Sequence, residues 1–195
     1  MNQTKWCENV ILADADYVDK AAFELTVHFE RVLGRRIPQA DLARWLECVA
    51  LDGGLRPSES RQQQTQVILI HQGRQMDNFL PGVFSDLDGQ AFSGGLGEFL
   101  ISCVQVEPMV TAGELFAESL QVMADAAEVR RLMVVPAAED LGDRVCGGLR
   151  HADDDKRVTV FSMQPMPGAG FRQETLGYSL MAALGIRTEE LTAAR

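Results

Sequence analysis

A chain of 195 residues, 46% hydrophobic and 24% charged, has the length and composition of one ordered domain able to bury its own core, which excludes an intrinsically disordered protein. Its formal net charge of −10 repels phosphate backbones, so nucleic-acid binding would need a local basic patch; Arg35-Arg36, Arg56 with Arg61, and Arg130-Arg131 are the short candidates, and each reads more simply as solvated surface. No run of eighteen apolar residues occurs and the start is polar, so neither a membrane span nor a signal peptide is expected, and the cytoplasm is the expected location.

Residues 8–23, ENVILADADYVDKAAF, open the ordered pattern. The apolar run Val10–Ala13 predicts a strand that ends in two acids, Asp14 and Asp16, and hands over at once to a helix. An acidic pair at such a junction lies where an open α/β sheet places its site. In the helix, Val18, Ala22, Leu25, Phe29 and Val32 share one face, Asp19, Lys20, Glu24 and Arg31 share the other, and Gly34 ends it. Asp16 falls at the expected N-cap, with Asp19 three residues on, whereas Asp14 has no such structural explanation.

A second helix is predicted over 38–51 after Pro38, with Leu42, Trp45, Leu46 and Val49 inward, and the polar segment 55–65 reads as a surface loop. Val67–Ile70 is a second strand, ending at His71. Residues 74–97 read as irregular, with a short helix near 75–80 and with 90–92 pairing to the next strand. That third strand, over 99–106, precedes a helix capped by Thr111 and running from 112 to about 127, with Leu115, Leu120, Val122 and Met123 as core candidates. Leu132–Val135 is a fourth strand, stopped by Pro136, and a helix over 138–150 points Leu141, Val145 and Leu149 inward. His151–Lys156 turns the chain into a fifth strand over 158–163. A Pro- and Gly-containing linker over 164–172 leads to a helix over about 174–184, which either covers an edge of the sheet or packs on a second copy as a homodimer contact.

Strands alternating with helices predict an α/β three-layer sandwich with a mainly parallel five-stranded sheet over 1–163, and 164–195 as a linker and C-terminal helical extension of the same domain. The carboxyl ends of the strands then share one edge, which collects Asp14, Asp16, His71, Glu107, Glu139 and Asp140. Two carboxylates on one strand end suit an oxygen-preferring Mg²⁺ or Mn²⁺, and a metal there could activate water against a phosphodiester. Glu139 and Asp140 also suit the first turn of a helix, where the macrodipole favours acids. Cys7, Cys48, Cys103 and Cys146 form no CxxC pair and read as reduced core thiols, and His28, His71 and His151 are too scattered for a zinc site. Cys103 with His71 would make a nucleophile pair only beside a base or a positive field, so a buried thiol is the expected state.

Two stretches carry a family resemblance. VILADADY at 10–17 and RRLMVVPAAEDLGDRVCGGLRHADDDKRVTVFSM at 130–163 resemble the PIN-domain superfamily, particularly its NYN branch of ribonuclease-like domains, at the level of topology over residues 8–163. The resemblance implies a divalent-metal endoribonuclease site in which Asp14 is the first metal acid, Glu114 a middle acid and Asp140 the second aspartate of the turn after the fourth strand, with RNA as substrate. The match departs where Pro136, Ala137 and Ala138 stand in place of serine, glycine and the first aspartate of that turn, and where Leu141 replaces phenylalanine. Losing the acid at Ala138 removes a ligand, which Glu139 restores only through a shift of register. The expectation is therefore a degenerate domain with an interaction or regulatory role and an RNA or protein partner; the alternative is a metal-dependent endoribonuclease using Asp14, Asp140, Asp16 and Glu114.

FSDLDGQAF at 84–92 resembles the DxDG signature of haloacid-dehalogenase-type phosphotransferases, with Asp86 and Asp88 in its roles. That motif needs a buried strand directly before it, where Leu80-Pro81-Gly82 interrupts the chain, and no convincing lysine partner comes later, so Asp88-Gly89 reads better as a turn.

Overall fold

The structure is a computed structural model that describes residues 5–59, 61–150 and 152–193. In chain order its elements are β1 (Asn9–Asp14), α1 (Ala15–Leu33), β2 (Ala40–Asp41), α2 (Leu42–Asp52), β3 (Gln64–His71), β4 (Phe79–Leu80), α3 (Phe84–Leu87), β5 (Ala91–Gly94), β6 (Gly97–Gln105), α4 (Ala112–Asp125), β7 (Arg131–Val135), α5 (Ala138–Leu149), β8 (Arg157–Ser162), β9 (Arg172–Thr175), α6 (Leu176–Ala183) and α7 (Thr188–Ala193). Among the described residues no helix is long and apolar enough to cross a membrane.

The expected α/β architecture with a mostly parallel sheet is present, but the sheet has seven strands rather than five, in the order β5-β6-β3-β1-β7-β8-β9. The two additional strands are its edges. β5 pairs antiparallel to β6 through a hairpin whose ends are Gly94 and Gly97, and β9 pairs parallel to β8. Both are four residues long with no buried residue, too short and polar to announce themselves as strands. The segment expected as linker and extension is thus part of the main sheet at β9, and α6 adds Leu176, Leu180, Ala183 and Leu184 to the core.

The central strand explains the layering. All six residues of β1 are buried, and they alternate between two cores. Ile11 and Ala13 belong to the cluster with Val18 of α1, Trp45 of α2 and Leu180 of α6; Val10 and Leu12 belong to the cluster with Leu120 of α4 and Val145 of α5. Helices therefore cover both faces.

Several local expectations are corrected. The second helix starts at Leu42, not at Pro38, because Ala40-Asp41 pair instead with Phe79-Leu80 and Asp41 caps the helix by accepting from the Arg44 amide at 3.1 Å. The short helix expected near 75–80 lies at Phe84–Leu87. Val122 is exposed, since α4 turns Phe116, Leu120 and Met123 inward and Val122 sits across from that stripe. Val32, in the last turn of α1, is also exposed. Gly34 does end α1, in the left-handed region at φ 63°. The four cysteines are free, as expected, but half-buried rather than in the core. The expected turn residue His151 lies outside the described residues.

Candidate functional site

Numbering the parallel strands β1, β3, β6, β7, β8 and β9 by their appearance gives the spatial order 3-2-1-4-5-6, that of a doubly wound sheet. In such a sheet the chain reverses direction beside the first strand, here between β1 and β7. The helices that come after those two strands leave on opposite faces, α1 towards one core and α5 towards the other. In a doubly wound sheet that divergence marks the crevice position, at the carboxyl ends of the strands. Two helix N-termini border it, and their dipoles favour the acids Asp14 and Asp16 of the first and Glu139 and Asp140 of the second.

Asp14 is the residue at the point of reversal. Here the structure inverts the expected division of labour between the two aspartates. Asp14, not Asp16, is the N-cap of α1, and its Oδ1 accepts from the Tyr17 amide at 3.0 Å. No loop separates β1 from α1, so the last strand residue is also the cap. Asp16 lies one residue inside the helix and reaches sideways to the end of β3, where its carboxylate accepts from the Gln72 amide at 2.6 Å. It thereby ties the α1 start to the loop after the neighbouring strand, a contact that sequence spacing cannot reveal.

Burial is the main cause of a raised Asp14 pKa. The Tyr17 amide opposes it, while the negative charges of Asp16 and Asp140 push the pKa further up. Asp14 and Asp140 thus share one electrostatic neighbourhood, as expected for two ends of one crevice.

Tyr17, which the sequence did not single out, bridges that crevice. Its hydroxyl donates to Glu139 Oε1 at 3.0 Å, joining the first turns of α1 and α5. Burial and the Glu139 carboxylate both raise the pKa of the phenol, so it stays protonated and remains the donor. The clue available in the sequence is Tyr17's position in the same helical turn as the cap, facing a second acidic first turn at 139–140.

The remaining candidates stand elsewhere. Glu114 forms a capping box with Thr111 at the start of α4: the Thr111 amide donates to Glu114 Oε2 at 3.0 Å and the Glu114 amide donates to Thr111 Oγ1 at 3.2 Å. Those bonds hold its carboxyl below the usual range, and Arg144 adds a smaller effect in the same direction. His71 is buried, on the sheet face opposite Asp14, since its strand neighbour Ile70 faces the α4–α5 core with Leu12. Its ring stacks on Phe84 with centroids 3.7 Å apart, and its Nδ1 lies 2.8 Å from the Gly73 carbonyl oxygen. A carbonyl only accepts, so Nδ1 carries the proton. Cys103 lines the same cleft as His71, but burial and the nearby Asp88 push its thiol pKa up to about 12, which leaves no thiolate for a nucleophile pair. Asp88 itself accepts from the Cys103 amide at 2.8 Å and so holds the α3 turn against β6.

Among the described residues no group of three or more His, Cys, Asp or Glu side chains is placed to hold a metal ion. The four acids expected as ligands are distributed among an N-cap, a tether from α1 to the loop after β3, a capping box and the first turn of α5.

No curated protein and no solved structure matches the chain. A family model described as a family of unknown function, DUF6621, matches residues 3–191. With nearly its whole length inside that match, the chain belongs to the DUF6621 family.

Proposed function

We propose that this protein is a PIN/NYN-like domain whose strand-end acids do structural work, and that it serves as an interaction or regulatory module. The observation that carries this reading is the engagement of Asp14. Its carboxylate closes the first turn of α1 by accepting from the Tyr17 amide at 3.0 Å, so one of its oxygens is already committed to the helix. Ala138 stands where the NYN pattern has an acid, and Glu139 accepts from the Tyr17 hydroxyl.

A metal-dependent endoribonuclease is the second reading, and one observation favours it. Asp14, Asp16 and Asp140 crowd one crevice with negative charge, and a divalent cation would relieve that repulsion. Asp14 and Asp140 would then be its ligands, and the cation would supply an activated water.

Thermal melts in MnCl₂ separate the two. Under the interaction reading, wild type and Asp140→Asn respond equally to Mn²⁺. Under the nuclease reading, Mn²⁺ at about a hundred times its Kd stabilises wild type by roughly 2.7 kcal/mol, a Tm rise of several degrees, and Asp140→Asn loses that rise. Asp140 is the better position to change, because unlike Asp14 it caps nothing.

A further inference from the structure

We propose that the opposite edge of the sheet, where the parallel strands begin, carries a binding site for a small, multiply charged phosphate-bearing ligand held by Arg130, Arg131 and Arg157. These residues line a cleft of about 750 Å³ with Lys5 and Arg61 beside them. Two of the basic stretches that look like isolated surface in the sequence contribute here, joined by an arginine not singled out: Arg61 comes from the loop before β3, Arg130-Arg131 from the start of β7, and Arg157 from the start of β8.

The arrangement is costly without a ligand. Arg131 and Arg157 are direct partners in the β7–β8 register, and like charges set opposite one another on a sheet repel. Arg131 is partly held by the Gly53 carbonyl, to which its Nη1 donates at 2.7 Å, but its Nε is buried with no hydrogen-bond partner among the described residues. Burial and the neighbouring charges of Arg157 and Arg56 weigh against its protonated form, and only the smaller influence of Glu8 opposes them. Three acids line the same cleft, Glu8, Glu128 and Asp155, against five cations. Among the described residues the one ion pair joining these two groups is Arg61 with Glu8 at 3.3 Å, so Arg130, Arg131 and Arg157 have no carboxylate partner. A local excess of unpaired guanidinium in a chain of net charge −10 suits an anion, and guanidinium forks suit the oxygens of a phosphate.

Two features favour a small ligand over a polymer. The cleft is within the size range of small-molecule sites, and the acidic remainder of the protein repels a long polyanion that would extend beyond it. Trp6, packed by part of its ring on the α4–α5 core, gives the cleft an apolar wall. This site lies at the other end of the strands from Asp14 and stands whether or not the acidic crevice binds metal.

The test is calorimetric titration of the full chain with inorganic pyrophosphate at low salt, about 50 mM. Wild type, Arg157→Gln and Arg130→Gln are compared with Arg36→Gln, an exposed control that does not line the cleft. Wild type and Arg36→Gln are expected to bind alike, with binding weakened about tenfold or more in each cleft variant. No saturable binding, or equal losses in the control and the cleft variants, overturns the proposal. Tighter binding of a single-stranded oligonucleotide, lost in the same variants, overturns it in favour of a nucleic-acid surface. Ligand-free melts of each variant establish that it is folded, and with two single variants the result does not hang on one substitution.

Discussion

Replacing Trp45 by alanine is expected to destabilise the protein by about 3–5 kcal/mol, a loss near 10 °C in Tm for a domain of this size. Trp45 is 0% exposed and sits edge-on to Phe79, with ring centroids 5.8 Å apart, in the core that joins α1, α2 and α6 to the sheet. Alanine would leave a cavity bordered by three helices anchored in the sheet, which limits how far the walls can close. The phenylalanine variant should behave differently. The Trp45 indole Nε1 is buried with no acceptor among the described residues, and such an orphan donor costs about 1–3 kcal/mol. Trp45→Phe removes that donor together with some apolar area, so the two effects oppose and the net change should stay within about 1.5 kcal/mol. Thermal melts of both variants check this. An alanine variant that melts within a degree or two of wild type would mean that α2 packs less tightly than its burial implies.

The long elements were legible because their patterns are local. Val10–Ala13, Val67–Ile70 and Leu132–Val135 are continuous apolar runs of strand length, and their burial on both faces is what such runs predict for a parallel sheet. Thr111 was legible as the cap of α4 for the same reason, although Glu114, expected as a metal acid, closes a capping box with it instead. What failed depended on partners remote in sequence. Ala40-Asp41 looks like a helix start until Phe79-Leu80 is beside it, and β5 and β9 have little apolar content of their own. The site obeyed the same rule. That acids gather at the carboxyl edge came from alternation alone, but which acid does what depended on the Gln72 amide meeting Asp16 and on Tyr17 meeting Glu139, pairs 56 and 122 residues apart. Spacing puts the cap at Asp16 only if a short loop stands between the strand and its helix; β1 and α1 meet without one, so the cap moves back to Asp14.

Asp14→Asn is expected to be more stable than wild type at neutral pH, with the advantage shrinking as the pH falls. The folded protein raises the Asp14 pKa above the ordinary carboxylate value near 3.9 that it has when unfolded. Between those two values the folded state holds a proton that the unfolded state has released, so stability falls with rising pH across that window and is level above it. Above the window the buried charge is a standing cost. Asparagine keeps an oxygen to accept from the Tyr17 amide and carries no charge, so it retains the cap and relieves both the burial and the repulsion from Asp16 and Asp140. Asp14→Ala relieves the same charge but loses the cap, and should lie about 1 kcal/mol below the asparagine variant at every pH. Urea melts of the three proteins from about pH 7 to about pH 4, read as differences from wild type, isolate this residue from the other carboxylates. The result also weighs on function. If wild type is the more stable protein at neutral pH, and only when Mn²⁺ is present, the carboxylate is holding a cation and the crevice is a metal site. If asparagine wins with and without Mn²⁺, the charge at the head of this sheet is a cost that capping the helix does not require.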